Sequence, residues 1–172
     1  MRFFTADLHF GHGKVIEYCN RPFKDVYEMN AELIRRWNVL VTPADTVFVL
    51  GDFSFMNSGR TKEVLRQLQG TIHLIRGNHD QGPHRFFERV DDAKRIEIGG
   101  YEVNLSHFPY FGKTTDGRDF SSQQLSDNGL PLLHGHVHCE WKVRDKMINV
   151  GVDQWAYAPV SETEILEVLK KL

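Results

Sequence analysis

A chain of 172 residues with a formal net charge of −2 is long enough to bury a core without disulfides or a structural metal, and its balanced charge implies no broad basic face for nucleic acid, leaving only a local basic groove open. A hydrophobic content of 41% with 26% charged residues is ordinary for a soluble globular protein. No run reaches membrane-spanning length, and Asp7 interrupts the opening apolar residues before a signal core could form, so one cytoplasmic domain over residues 1–172 is the expectation.

The first element is an apolar strand, Arg2–Ala6, which delivers Asp7-Leu8-His9. Side chains alternate along an extended chain, so Asp7 and His9 point together while Leu8 enters the core. Gly11-His12-Gly13 turns the chain into a short helix over Lys14–Cys19. A second helix runs from Glu28 to about Val41, because Met29, Leu33, Trp37 and Leu40 recur at helical spacing; that stripe is core. A β-branched strand, Thr46–Leu50, ends in Gly51-Asp52, and Val64, Leu65 and Leu68 mark a helix closed by Gly70. The buried strand holding Ile72, Leu74 and Ile75 ends in Gly77, Asn78, His79 and Asp80, which no strand needs for packing.

Two strands of alternating charge follow, near Arg95–Ile98 and Tyr101–Ser106, joined by the Gly99-Gly100 hairpin signal. The second runs into His107-Phe108-Pro109. From Gly112 to Gly129 the chain is polar and without periodicity. A loop of that length inside a compact domain is usually functional or disordered, and we expect it to border the substrate. Leu130–Leu133 is a buried strand ending in His134-Gly135-His136-Val137-His138, and Met147–Val152 is a strand running to Trp155-Ala156-Tyr157. Ser161 and Glu164 form a capping box, with Val160 and Ile165 as its staple, so the last helix starts at Glu162.

Histidine is the unusual residue. Nine are present, and five fall in the clusters His9/His12 and His134/His136/His138; imidazole is the commonest donor to transition metals. Cys19 and Cys139, by contrast, make neither a metal spacing nor a disulfide framework. The strand ends read in order Asp7-x-His9, Gly51-Asp52, Gly77-Asn78-His79-Asp80, His107 and Gly135-His136-x-His138. Open α/β sheets place ligands outside the carboxyl ends of their strands, and carboxylate, imidazole and amide donors without a thiolate suit Mn²⁺, Fe or Zn²⁺. In this order and spacing the set resembles the motifs of the calcineurin-like metallophosphoesterases over residues 7–138. The opening Asp7-Leu8-His9-Phe10-Gly11-His12 is similar to that of small single-domain bacterial and phage members.

The resemblance implies an α/β fold, a four-layer α/β/β/α sandwich of two mixed β-sheets. It implies two divalent metal ions, Mn first, with Fe, Zn or Ni as alternatives. Asp7, His9, Asp52 and His138 would hold one; Asp52, Asn78, His107 and His136 would hold the other, with Asp52 bridging. Two such ions bring four positive charges and two aspartates remove two, leaving a site that acidifies a bridging water and attracts a phosphoryl oxygen. The implied function is hydrolysis of a phosphate ester by a metal-bridging hydroxide, with His79 assisting the leaving group. A chain without an inserted cap favours phosphodiesters, with nucleotide or nucleic acid open as substrate. The alternatives are a phosphomonoesterase on a small molecule or nucleotide, and a non-catalytic binding scaffold, which the intact ligand set and His79 disfavour. The protein-phosphatase branch carries an acidic residue three positions after its Gly-Asp aspartate to orient the histidine. Here that position is Phe55, which argues against a protein serine/threonine phosphatase and leaves Asp80 as the candidate orienter. His12 either contacts substrate phosphate at a helix start or caps that helix. Tyr110 and Trp155 either stack on a base or aryl group or pack their own loops. His134 reads as packed behind the ligands, and His73 and His84 match no motif.

Overall fold

The computed structural model describes residues 1–80, 85–112 and 119–172. His84 and part of the Gly112–Gly129 stretch lie outside the described residues. In chain order the elements are β1 (Arg2–Thr5), α1 (Lys14–Tyr18), α2 (Val26–Leu40), β2 (Thr46–Leu50), α3 (Ser58–Leu65), β3 (Thr71–Ile75) and β4 (Arg89–Asp91). There follow β5 (Ala93–Ile98), β6 (Tyr101–Ser106), β7 (Leu132–His134), β8 (Val143–Arg144), β9 (Met147–Asn149), β10 (Val160–Ser161) and α4 (Glu162–Leu169). They build two mixed five-stranded sheets, ordered β10-β1-β2-β3-β4 and β5-β6-β7-β9-β8. In the first, β1 to β4 run parallel and β10 antiparallel. In the second, β6, β7 and β9 are parallel, and antiparallel partners β5 and β8 close the two edges.

Strand alternation divides the apolar residues of the first sheet between two cores. Phe3, Val47, Val49, Ile72 and Leu74 pack with Met29, Leu33 and Trp37 of α2 and Val64 of α3. Phe4, Phe48, Leu50 and Ile75 meet Ile98, Val103, Leu105, Leu133 and Ile148 of the second sheet, and Ile165 and Leu169 of α4 join them. This is the expected α/β architecture of two mixed sheets with helices. On the far face of the second sheet Leu132 and Met147 pack with Tyr110 and the loop residues Leu125 and Trp141, so among the described residues that cover comes from loops.

Local chemistry explains where the elements depart from expectation. Helix α2 starts at Val26 rather than Glu28, because the Asp25 carboxylate accepts the N–H groups of Tyr27 and Glu28 at 3.0 and 2.8 Å and satisfies the first turn. Strands β4, β8 and β10 are only two or three residues long, too short to carry an alternation signal. Helix α4 begins at Glu162 with its capping box formed.

Register positions the site. Thr5 pairs with Val49 and Leu50 with Ile75, so Asp7, Asp52 and Asn78 leave their strands side by side. In the second sheet Leu105 pairs with Leu133, which brings His107 and His136 to one edge.

Candidate metal centre

The turns at this edge are strained. Asp7 (φ 55°), His9 (52°), Asp52 (55°), His136 (71°) and His138 (45°) all adopt left-handed backbone, which residues other than glycine rarely do and which collects at functional sites. Turn-to-turn bonds hold it: Asp7 N donates to Gly51 O at 3.1 Å, and His9 N to Asp52 O at 3.0 Å. Beneath them Arg21 donates to the carbonyls of Asp7 at 2.8 Å and Leu8 at 3.2 Å. Its Nε and Nη2 each meet an Asp153 oxygen at 2.8 Å, and the two side chains are 0% and 1% exposed. No spacing in the sequence announces this pair, whose members lie 132 residues apart. Removing one member of a buried ion pair strands the other charge and costs about 3–5 kcal/mol. Arg21→Met in the metal-free protein should lose stability of that order in urea unfolding; a loss within error would remove the clamp.

Two glycines let the layers close. A Cβ on Gly51 would lie 2.2 Å from His107 Nδ1, and one on Gly135 would lie 2.5 Å from Ala6 Cβ and 2.7 Å from Asp7 Oδ2. No other residue fits either place. His136 N then donates to both Asp7 oxygens at 3.1 and 2.9 Å, joining the two sheets.

Asp7, His9, Asp52 and His138 present ligand atoms all within 4.8 Å of one another. Asp52 Oδ2 lies 3.6 Å from His9 Nε2 and 3.6 Å from His107 Nε2. These separations exceed hydrogen bonds and approach the roughly 3–3.5 Å expected between two donors sharing a cation bound at ~2.1 Å. His107 Nε2 also lies 3.1 Å from Asn78 Oδ1 and 3.3 Å from His136 Nδ1. Because His107 Nδ1 donates to Leu50 O at 2.8 Å, its Nε2 faces this group of acceptors, an arrangement that calls for positive charge. Burial pulls the His107 pKa down, but Asp52 and then Asp7 outweigh it and raise it. Both nitrogens of His9 and Nε2 of His136 are buried without a hydrogen-bond partner. Burial, then neighbouring imidazoles, holds His9 well below its usual value and pushes His136 down to about 3. Both are therefore neutral and able to ligate at ordinary pH. Burial raises Asp7 against the pull of His138 and His107, a cost that a bound cation relieves. The donor set fits divalent metal.

The remaining candidates separate. His79 N donates to Asp52 Oδ1 at 3.0 Å, and its Nε2 lies 4.0 Å from Asp52 Oδ2. Asp80 turns away from that ring: its carboxylate accepts the N–H groups of Asp52, Phe53 and Gly77 at 2.7, 3.1 and 2.9 Å, tying the second strand end to the third. Its orientation departs from the expected role beside His79. His12 stacks on Phe55 and sits 5.3 Å from the ring of His9, so it does border the ligands. Tyr110 does not. It is buried, and its hydroxyl bonds Asn104, Asn128 and Leu130 O on the far face of the second sheet. Trp155 donates to Asn149 O at 2.8 Å and carries Lys142 over its ring. His134 packs on Trp141 with Nδ1 2.7 Å from Gly135 O, and His73 packs on Phe48. From the polar stretch, Phe120 reaches the ring of His136 at 4.7 Å. Cys19 Sγ, 3.5 Å from His138 Nδ1, is a partner that motif spacing could not reveal.

A family model described as the calcineurin-like phosphoesterase superfamily domain matches residues 4–162. The chain belongs to the calcineurin-like phosphoesterases. This phosphoesterase is 37% identical to protein MJ1445 of Methanocaldococcus jannaschii, across 98% of its own length and 91% of the relative's. It is 36% identical to the gene 66 protein of Mycobacterium phage L5, across 98% and 94%. Protein AQ665 from Aquifex aeolicus, whose crystal structure is known, is 27% identical and matches with a TM-score of 0.78 over 98% of each chain. A calcineurin-like phosphoesterase is a metal-dependent hydrolase of phosphate esters, and the cluster of Asp7, His9, Asp52 and His138 is where this one offers its donors. Among the described residues no helix is long and apolar enough to cross a membrane.

Proposed function

We propose that this phosphoesterase is a phosphodiesterase acting as one domain over residues 1–172, with two divalent cations, Mn²⁺ foremost. Asp7, His9, Asp52 and His138 hold one, and Asp52, Asn78, His107 and His136 the other. The observation that carries the reading is the Asp52 carboxylate, whose Oδ2 is equidistant, at 3.6 Å, from a nitrogen of each group. Bound there, divalent cations supply Lewis-acid charge to the phosphoryl group and acidify the attacking water. Asp52 also accepts His79 N, so the carboxylate that joins the two groups fixes the backbone of the residue that handles the leaving oxygen. As water attacks phosphorus, the P–O bond to the leaving group breaks with its electron pair on oxygen. His79 gives that oxygen the Nε2 proton and is reprotonated from solvent. Preference for diesters rests on access: among the described residues the connections between motif-bearing strands are helices, short strands and loops, with no inserted domain to close over a small ester. The Gly112–Gly129 stretch tunes that preference; within its described part Phe120 packs on His136.

The test is a panel of p-nitrophenyl phosphate, bis-p-nitrophenyl phosphate, cyclic nucleotides and single-stranded DNA and RNA, assayed with Mn²⁺. Higher kcat/KM on diesters supports the reading. A clear preference for the monoester assigns the same donors to a phosphomonoesterase.

A further inference from the structure

Among the described residues Asp52, 4.0 Å from His79 Nε2, is the one carboxylate within ion-pair reach of its ring, and Asp80 is committed to backbone N–H groups. What meets the ring is aromatic. Phe55 lies 4.5 Å from His79 between ring centroids, at 40° between planes. The same phenyl stacks on His12 at 4.1 Å and 13° and contacts His9 at 5.1 Å. It is nevertheless 40% exposed, so it is not there to fill a core.

The Phe55 backbone is well anchored. Its N–H donates to Phe10 O at 2.9 Å, and Phe10 N donates to Phe53 O at 3.0 Å. The Ser54 hydroxyl accepts Met56 N at 3.0 Å, and Phe10 and Ser54 form a parallel bridge. A ring on so fixed a frame, backed by His12, presents a rigid wall to a neighbour that has no carboxylate to aim it. We infer that Phe55 is the positioning residue for His79, holding the imidazole by ring packing where a carboxylate–imidazole hydrogen bond would otherwise do so, with His12 as its backing plate. Misplacing a reacting group by about 1 Å can cost ~10²-fold in rate, which makes a wall of this kind catalytically consequential.

The inference rests on His79 acting as proton donor, and the experiment separates the two claims. Phe55→Ala, Phe55→Tyr and His79→Gln are compared with wild type across esters graded by leaving-group pKa, with metal content measured on each. The His79 ring signal is followed by NMR in Zn²⁺-loaded protein, identified by its loss in His79→Gln. For Phe55→Ala we expect wild-type metal content, unchanged KM, and kcat reduced ~10-fold or more on poor leaving groups but little on p-nitrophenyl esters. The His79 ring resonance should lose the ring-current shift imposed by Phe55. Phe55→Tyr, which keeps the ring, should restore both. A graded loss in His79→Gln with none in Phe55→Ala overturns the role of Phe55 and leaves the proton donor intact. A flat loss in His79→Gln overturns the donor reading itself. Metal loss in Phe55→Ala would also overturn the inference, because it would make Phe55 a support for His9.

Discussion

His79→Gln should keep its metals and lose activity in proportion to how poorly the leaving group departs. The side chain is half-buried at the rim, with Nε2 4.0 Å from Asp52 Oδ2, and Gln preserves polarity without a transferable proton. General acid catalysis is typically worth ~10²–10⁴-fold. A p-nitrophenolate leaves readily unprotonated and should lose least, whereas a ribose oxygen leaves poorly and should lose most, up to that full range. The measurement is kcat/KM over the graded series with chemistry shown to be rate-limiting. A uniform loss with metals retained would reduce His79 to an electrostatic role.

Asp52→Asn should have the broadest effect on metal. The substitution removes one of the two carboxylates in the donor set and weakens the oxygen that lies 3.6 Å from both His9 and His107. Losing a hydrogen-bond partner behind a ligand commonly lowers metal affinity ~10–100-fold, so weakening a shared ligand should exceed that at both positions. Elemental analysis and calorimetry after anaerobic reconstitution should give two ions in wild type and weakened binding of both in the variant. One tight ion in wild type would refute the two-metal reading.

The sequence was informative where chemistry sits on strand ends. Asp7-x-His9, Gly51-Asp52, Gly77-Asn78-His79-Asp80, His107 and Gly135-His136-x-His138 could be read as a set because each lies within a few residues of the end of a short apolar strand, and parallel register then brings such ends together. The division of these residues between two metals came from the resemblance alone, and the family match over residues 4–162 supports the family from which it was carried. Illegible were the contacts that depend on which way a side chain turns. Asp80 is adjacent to His79 in the chain, yet its carboxylate points back to the Gly51-Asp52 turn. Tyr110 follows His107 closely, yet its hydroxyl belongs to Asn104 and Asn128. Arg21 and Asp153 carry no motif, and only the folded backbone reveals the carbonyls that Arg21 holds. Phe55 looked like a missing acid; its neighbours give it another task.

The donors are divided between the sheets: Asp7, His9, Asp52 and Asn78 come from the ends of the first, and His107, His136 and His138 from the second. A chain in which only β1–β4 have formed therefore brings together two carboxylates, one amide and one imidazole, and the other three imidazoles come from the second sheet. Contacts so distant in sequence form late in folding because loop-closure entropy must be overcome first. A metal held by donors from both sheets would act as a latch across the seam, stabilising the native state by mass action in step with the free ion concentration.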